Sequence, residues 1–482
     1  MRARVLATLT AEENRKWWTL AAVAFGLFMI MLDNTVVNVA LPSIGRDLHV
    51  SISSLEWVVT AYALTFAALL ITGGKLGDLM GRRRIFIVGI AIFTLSSLAC
   101  GLAPTAGFLI GARAVQGVGA ALMNPASLSI ITATFPPRER GQAIGIWAGV
   151  SAMALAIGPL VGGLIVDNIN WNWIFFINVP VGVLGIVVSR LVIKETRDTS
   201  HEQSIDLPGL ITSSAALFAL SYALIEGNRH GWTSAEILGL FAAAVVLLLT
   251  FVVLERYQRL PMLDLSLFRI GSFTGANLVA MLVSLGMFGV FFFVSLYLQN
   301  ILGWTPTQAG ASFLPMTLLI IVVAPIAGRL SDRIGSRWLM GAGMTLVSIS
   351  LLFYQRVGLH STFWTLLPAM LLGGVGMAMT MSPMTAAAMG SVPVDKAGVG
   401  SGVLNSFRQL GGSLGIAVMG AILASYVTAA PGSHASAQQF VDGLHAALLV
   451  AAVITFLAAV VAVATVRTRP EVEQAHIVEM AA

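Results

Sequence analysis

Runs of about twenty apolar residues recur along the whole chain, and this pattern constrains the fold more than any other feature of the sequence. Each run is long enough to cross ~30 Å of hydrocarbon as an α-helix. Strands of a membrane barrel would show segments of about ten alternating residues, which are not visible here. The sequence therefore predicts an all-α, polytopic transmembrane protein of fourteen spans. The predicted spans are 17–40, 55–73, 85–103, 107–128, 142–165, 173–192, 207–226, 235–254, 273–298, 308–327, 338–356, 364–384, 397–426 and 443–466.

The composition supports a surface that faces lipid. Of the 482 residues, 57% are hydrophobic and 10% are charged, whereas a soluble domain has about a quarter charged residues. The first apolar run is too long for a cleaved signal peptide and lacks its small-residue cleavage site. The single cysteine, Cys100, excludes an intrachain disulfide and suggests no metal cluster. We expect the lipid bilayer as a partner and neither a metal nor an organic cofactor.

The basic residues predict how the chain is oriented. With a cytoplasmic N-terminus, 22 of the 27 lysines and arginines fall in cytoplasmic segments and three fall in outer loops. Such an asymmetry follows the positive-inside rule and places both termini in the cytoplasm, which requires an even number of spans. Because these residues form short groups between spans, they indicate topology and not a nucleic-acid partner. The predicted location is the cell (plasma or inner) membrane, crossed many times.

An internal repeat divides the chain. Residues 74–83 (GKLGDLMGRR) are echoed 254 positions later by residues 328–337 (GRLSDRIGSR). The same offset carries span one onto span nine and span five onto span thirteen. We predict an N-terminal six-helix half at 1–200, two inserted transmembrane helices at 201–260 and a C-terminal six-helix half at 261–482. In transporters built this way, the substrate site lies between the halves near mid-membrane.

Asp33 is the only acidic residue well inside a predicted span. A carboxylate at the centre of a membrane helix costs roughly 3 kcal/mol on insertion scales, so such residues face a cavity or a partner. Desolvation favours the neutral form, which makes Asp33 a candidate for taking up and releasing a proton. Asn34 and Asn38 extend the polar side of this helix. A structural carboxylate held by hydrogen bonds is the alternative.

Arg113 in span four lies at the same predicted depth as Asp33. Counting ~1.5 Å per residue places both about 10 Å from the outer edge. Gln116 shares the face of Arg113 at i+3, so the two charges can interact directly or through it. An arginine that leaves Asp33 in one conformation would couple protonation to movement. A permanent ion pair that only ties two helices together remains the alternative.

Four segments of the first half carry a family resemblance. Residues 74–84, 113–121 and 149–163 resemble the signature loop, the second motif and the antiporter motif of the major facilitator superfamily. Residues 32–42 resemble the opening motif of its fourteen-span drug:proton antiporter family. This resemblance implies the major facilitator fold, a proton as the coupling ion, a proton role for Arg113 and a monomer. One departure is Asn172, which stands where the family usually has an arginine.

The resemblance also implies roles for two motifs. The loop between spans two and three would be a latch for the outward-facing state, although plain topology explains some of its charges. The span-five motif would form a tight seam that limits leak, and simple helix packing is equally physical. The predicted latch residues are Gly74, Asp78, Gly81, Arg82 and Asp332. The predicted antiporter-motif residues are Gly149, Gly158, Pro159, Gly162 and Gly163.

A substrate cavity is predicted from polar and aromatic residues at membrane depth. The aromatic side chains of span nine would stack an apolar or cationic molecule, although such a run usually includes lipid-facing residues too. Glu226, at the outer end of span seven, is interpreted as a solvated helix cap. The predicted cavity residues are Asn34, Asn38, Tyr62, Phe292, Tyr297 and Arg408.

These features predict proton-coupled efflux of a small hydrophobic or cationic molecule. Export of an endogenous metabolite, lipid or siderophore by the same mechanism is the alternative. A non-transporting membrane sensor would be expected to carry an extra soluble domain or a long tail. The sequence has no Walker phosphate loop and no Gly-x-Ser-x-Gly elbow, so no enzymatic activity is predicted.

Overall fold

The computed structural model describes residues 12–197, 206–258, 261, 263, 265–392, 397–428 and 433–467. These residues form a bundle of long α-helices, which we number α1 to α14 in chain order. The helices are α1 (Glu12–Asp47), α2 (Ile52–Met80), α3 (Arg82–Gly101), α4 (Ala106–Thr134), α5 (Pro137–Asn168), α6 (Asn178–Val192), α7 (Leu207–His230), α8 (Ala235–Tyr257), α9 (Gly271–Leu296), α10 (Leu314–Ile334), α11 (Ser336–Phe353), α12 (Phe363–Gly390), α13 (Ala397–Tyr426) and α14 (His434–Thr465).

The predicted polytopic, all-α fold is confirmed. Thirteen helical segments of the described chain are long and apolar enough to cross a membrane. The remaining predicted span corresponds to α5, a helix of 32 residues with a described apolar stretch at Ile157–Asn168. Several helices run past the predicted spans into the loops. For example, α2 covers Ile52–Met80 where the apolar run predicted 55–73, because the helix continues after its hydrophobic stretch ends.

Two helices of the second half are interrupted near one end. A π-helical turn, Tyr297–Ile301, continues α9. The short helix Pro306–Ser312, which we call the α10 lead helix, precedes α10. It begins with Pro306 after a capping box between Thr305 and Gln308, and a proline in the first turn suits a helix start because its missing N–H would be unpaired there. Both of these segments lie where the second half contacts the first half.

The sequence repeat is visible in the backbone. Gly81 ends α2 and begins α3 with φ +108°, and Gly335 joins α10 to α11 with φ +85°. This region of φ is accessible to glycine at low cost, so both positions allow a sharp turn between two helices. The helix pairing repeats as well, since α1 packs on α5 as α9 packs on α13, and α2 packs on α4 as α10 packs on α12. The boundaries of the three predicted units remain a prediction.

The inserted helices α7 and α8 pack against each other, and α7 also packs against α2 and α13. One helix of the insertion therefore touches both halves. The other described contacts between halves include a set at the far end of the bundle, which we define as the end opposite residues 12 and 467. There Ser295 Oγ donates to Asn38 O at 3.0 Å and Gln299 Nε2 donates to Val39 O at 2.9 Å. These contacts hold α1 and α9 together at the far end.

Candidate coupling site

Asp33 is buried in α1, and three side chains donate hydrogen bonds to its carboxylate. The residue is 2% exposed. Arg113 Nη1 donates to Oδ2 at 2.5 Å, Gln116 Nε2 donates to Oδ1 at 2.9 Å, and Asn178 Nδ2 donates to Oδ1 at 3.4 Å. Because these donors come from α4 and α6, the carboxylate ties three helices of the first half together.

Arg113 is equally buried, at 1% exposure. Its Nε donates to Val58 O at 3.0 Å, and Nη1 also donates to Gln116 Oε1 at 2.6 Å. The guanidinium carbon lies 4.2 Å from the centre of the Tyr62 ring. Burial removes water from the positive charge of Arg113. The loss is compensated by a carboxylate, two neutral acceptors and an aromatic face. The Asp33–Arg113 contact is direct, and Gln116 bridges the same two residues.

Two polar residues of the site were missed by the sequence analysis. Ser97 in α3 accepts from Gln116 Nε2 at 2.6 Å and from Asn178 Nδ2 at 3.2 Å. Asn178 is the first residue of α6 and lies inside the predicted sixth span. A polar residue in an apolar run was a signal that could have identified Asn178. Ser97 gave a weaker signal, because serine commonly satisfies its hydroxyl on its own helix.

The network holds Asp33 and Arg113 as two buried charges that compensate each other. Removing one partner of a buried ion pair typically costs 3–5 kcal/mol, because the other charge remains buried without compensation. Protonation of Asp33 would likewise remove one of the two charges of the pair. A protonated Asp33 would leave the buried guanidinium of Arg113 without a counter-charge. The geometry can link proton binding at α1 to a displacement of α4.

The predicted cavity residues of the first half lie near this network. Tyr62 is fully buried beneath Arg113. Asn34 is half-buried, and its carbonyl accepts from Asn38 Nδ2 at 3.1 Å. Asn38 itself is 6% exposed. The structure thus brings Tyr62 into contact with the ion pair and leaves Asn34 as the more exposed polar group.

The predicted cavity residues of the second half have other partners. Phe292 is fully buried and packs edge-to-face on Phe293, with ring centres 4.7 Å apart. Tyr297 is also fully buried, and its hydroxyl donates to Gly358 O at 2.5 Å. Arg408 is half-buried in α13. In this conformation, the two aromatic residues contribute to helix packing and not to a common surface with Asn34.

The predicted latch is built around Gly81. Arg82 Nη2 lies 2.8 Å from Asp78 Oδ1, and Arg82 Nη1 donates to Ser129 O in α4 at 3.4 Å. Glu195, which the sequence analysis missed, accepts from the backbone N–H groups of Arg83 and Arg84 at 3.0 and 3.2 Å. An acid at a helix N-terminus satisfies unpaired N–H groups and is favoured by the helix dipole.

The two other predicted latch residues differ in what the structure describes. Gly74 faces Pro125 of α4, since a Cβ at Gly74 would lie 3.5 Å from Pro125 Cβ. Asp332 belongs to α10, but its side chain lies outside the described part of the structure. The latch in this conformation therefore joins α2, α3 and α4 with the segment after α6, all within the first half.

The span-five motif forms a close helix seam. A Cβ at Gly158 would overlap Thr35 Oγ1 of α1, and a Cβ at Gly162 would lie 3.0 Å from Val36 O. Gly163 abuts Pro306 of the α10 lead helix in the same way. The carbonyl of Pro159 packs on Gly310, also in that helix. The motif thus joins α5 to α1 and to the second half at the far end, while Gly149 has open space around it.

Gly158→Ala is expected to destabilise the protein by about 1–3 kcal/mol, the usual cost of overpacking a tight contact. The added methyl group must push α5 away from Thr35. Gly149→Ala is the matched control, because nothing lies within 4 Å of its Cβ and alanine is the better helix former. Thermal unfolding of the purified variants measures the difference. Equal unfolding midpoints for the two variants would contradict the seam.

A family model described as Major Facilitator Superfamily matches the chain over residues 23–278 and 276–480. The chain is 37% identical over 420 residues to the tetracenomycin C resistance and export protein of Streptomyces glaucescens, covering 86% of this chain and 77% of the relative. It is 36% identical over 475 residues to the puromycin resistance protein pur8 of Streptomyces alboniger, covering 96% and 94%. A third relative, the multidrug resistance protein Stp of Mycobacterium tuberculosis, is 38% identical over 417 residues, covering 86% and 77%.

Solved structures share the fold at low sequence identity. A bacterial homolog of the human lysosomal transporter Spinster, in an inward-facing and unoccupied conformation, aligns with TM-score 0.68 and 18% identity, covering 94% of this chain and 97% of that one. A peptide transporter in complex with sulfate aligns with TM-score 0.67 and 14% identity, covering 92% and 94%. At these identities the likeness concerns the arrangement of helices.

Proposed function

The chain belongs to the major facilitator superfamily, a family of membrane transporters, and from that premise we propose that it exports hydrophobic or cationic drugs in exchange for protons. It is a multi-pass membrane protein of this transporter family. The observation that carries the antiport proposal is the buried Asp33–Arg113 pair. An ionisable pair inside a membrane bundle is expensive and is typical of proton relays and ion pathways.

The relatives support a drug as cargo. Their names refer to resistance to tetracenomycin C, puromycin and methylenomycin A, and to multidrug resistance. These antibiotics differ in chemistry, so the common property proposed for the substrates is a small, largely apolar molecule, with or without one positive charge. Asp33 is paired to an arginine and not left for a cationic ligand. A neutral or monovalent substrate therefore fits this site better than a dication.

The proposed cycle uses the far end of the bundle as the outer face, with both termini in the cytoplasm. With the far end closed, the substrate enters from the cytoplasm. When the far end opens, the substrate leaves and a proton reaches Asp33 from outside. Arg113 then shifts toward its other acceptors, α1 and α4 rearrange, and the far end closes again. Release of the proton to the cytoplasm restores the ion pair.

Active efflux from cells tests this proposal. Cells that express the protein are loaded with ethidium, a monovalent lipophilic cation, or with puromycin, and are then energised. We expect faster loss of at least one compound than from cells carrying an empty vector, and a protonophore should abolish the difference. Efflux that persists after the protonophore collapses the gradient would contradict proton coupling. An equal rate with and without the protein for both compounds, tetraphenylphosphonium and methylenomycin A would contradict drug export.

A further inference from the structure

Glu56 is a buried carboxylic acid that the coupling site does not use. It lies in the first turns of α2 at the far end and is 3% exposed. Among the described residues, no donor makes a hydrogen bond to its carboxyl group. It lies at the edge of the second predicted span, 55–73, and was not among the predicted site residues. A buried acid without a donor requires a physical explanation.

The carboxyl group of Glu56 packs directly on α13 of the second half. A Cβ built on Gly420 would overlap Glu56 Oε1, so the absence of a side chain there makes the contact possible. Farther along the same helix pair, Ser406 Oγ of α13 donates to Ala67 O of α2 at 3.2 Å. The contact with Gly420 therefore closes the far end of the seam between α2 and α13.

The inserted helix α7 covers this seam from the side. Trp57 Nε1 of α2 donates to Glu226 Oε1 at 3.2 Å. Asn228 Nδ2 of α7 donates to Ala421 O of α13 at 2.5 Å. One helix of the insertion thus bonds to α2 and α13 at the level of the Glu56–Gly420 contact, which bridges the two halves.

The solvated-cap interpretation of Glu226 was wrong, because α7 docks on this seam and takes the residue out of water. Glu226 is 7% exposed, and its Oε2 accepts no hydrogen bond in the described structure. The closest described cation is Arg229, 3.7 Å from that oxygen, with a side chain 77% exposed to solvent. Glu226 is also the charged group that interacts electrostatically with Glu56. Two carboxyl groups are therefore buried at this seam, and the compensation described for them is one tryptophan N–H and one solvent-exposed arginine, both at Glu226.

The other charged and titratable groups near Glu56 are exposed or have partners of their own. On the helices packed against α2 they include Tyr222, Arg229 and His230 on α7, Arg46, Asp47 and Asp33 on α1, Arg113 on α4, Cys100 on α3, and Arg408 and Tyr426 on α13. The ring of Tyr222 packs on Trp57 and His230, and Arg408 lies about three helical turns from Gly420 along α13. Arg46, Arg229 and Tyr426 are exposed, and His230 pairs with Glu236. Asp47 accepts from Trp171, and Cys100 contacts Gln116. None of them supplies Glu56 with a counter-charge.

Burial of a carboxylate without a donor or a cation is so costly that the group takes up a proton instead. A second carboxylate nearby adds to this preference, because like charges disfavour ionisation. We therefore propose that Glu56 binds a proton when α2 and α13 close the far end, which makes it a second protonation site, covered by the inserted helix α7. The inference rests on the proposed antiport cycle and adds a condition for its closing step.

The proton on Glu56 comes from the aqueous phase at the far end and returns there when the helices part. It is not carried across the membrane, so the site changes the conformational equilibrium and not the number of protons exchanged per substrate. Acid on that side favours the closed far end, and neutral or basic pH favours separation of α2 and α13. The inserted helix α7 thus has a function, which is to cover this protonation site. The two six-helix halves alone would lack that cover.

Distance measurements across the seam test the site without substrate or gradient. Spin labels are placed on cysteines introduced at Ser53 of α2 and Ala424 of α13, in a Cys100→Ser background in lipid nanodiscs. Electron–electron double resonance between pH 5.5 and 8.5 should show a short distance at low pH and a growing long-distance population as the pH rises. Glu56→Gln keeps the carboxyl shape without the charge, so it should show the short distance at every pH.

Two further variants keep the proposal testable if Glu56→Gln fails to fold. Gly420→Ala should favour the long distance throughout the pH range, because its Cβ takes the place of the carboxyl group. Asp33→Asn should retain the pH dependence of the seam. A Glu56→Gln seam that titrates like the unmodified one, a Gly420→Ala seam that closes normally, or a seam whose pH dependence is lost with Asp33 would each overturn the proposal. Failure of drug export would leave these distances unchanged, so the two proposals fail separately.

Discussion

Asp33→Asn is expected to abolish energised drug efflux, reducing it to the rate seen in cells that lack the protein. The amide can still accept a hydrogen bond from Arg113, but it cannot take up and release a proton. Asparagine is nearly isosteric with aspartate, so the loss should come from coupling more than from packing. Ethidium efflux from energised cells, normalised to the amount of protein in the membrane, measures the effect.

Asp47→Asn is the matched control for this variant. Asp47 lies on the same helix, is exposed and accepts a hydrogen bond from Trp171 Nε1 at 2.7 Å. The asparagine oxygen can preserve that bond, and we expect efflux to remain close to that of the unmodified protein. Proton-dependent efflux by Asp33→Asn at the unmodified rate would remove Asp33 from the coupling mechanism.

Arg113→Ala is expected to destabilise the protein by about 3–5 kcal/mol, the usual cost of removing one partner of a buried ion pair. The substitution leaves Asp33 buried with two neutral donors and removes the guanidinium packed on Tyr62. Part of the loss is a cavity, which the neutral replacement Arg113→Gln reduces. Unfolding by titration with SDS in mixed micelles measures the free energy of unfolding for each variant.

A double-mutant cycle separates the ion pair from its surroundings. In Asp33→Asn/Arg113→Gln both charges are gone, so neither is left uncompensated. We expect the double variant to lose about 2–3 kcal/mol less than the sum of its two single variants, as for residues in direct contact. It should remain inactive in efflux. Arg46→Gln, at an exposed arginine of α1, should change stability little, and additive losses in the cycle would contradict the pair.

Span positions are predictable because the membrane imposes them. Every backbone group in lipid must be paired within its own helix, so each crossing requires a long apolar run that a single sequence displays. Depth within a span follows from the constant rise per residue. For this reason the amino-acid sequence alone assigns Asp33 and Arg113 to one level of the membrane. Their direct contact also depends on helix rotation, which the apolar runs do not specify.

Partners that depend on helix docking were not predictable in the same way. Asn178 reaches Asp33 because α6 presents its first residue to α1 and α3, and no periodicity in an almost wholly apolar helix specifies that face. Glu226 was misinterpreted for the same reason, since proximity to a helix end suggested water. Phe292 and Tyr297 had the residue types of a drug-binding surface, but the orientation of α9 buries both.

Proton exchange by the purified protein tests the central claim most directly. The protein is reconstituted into liposomes that contain the pH indicator pyranine, with an acidic interior and a neutral exterior, and ethidium is added outside. Proton-coupled antiport predicts ethidium accumulation together with an ethidium-dependent rise in internal pH. Both should be absent with Asp33→Asn and present with Asp47→Asn. Ethidium accumulation that releases no protons, or that continues with Asp33→Asn, would contradict the account.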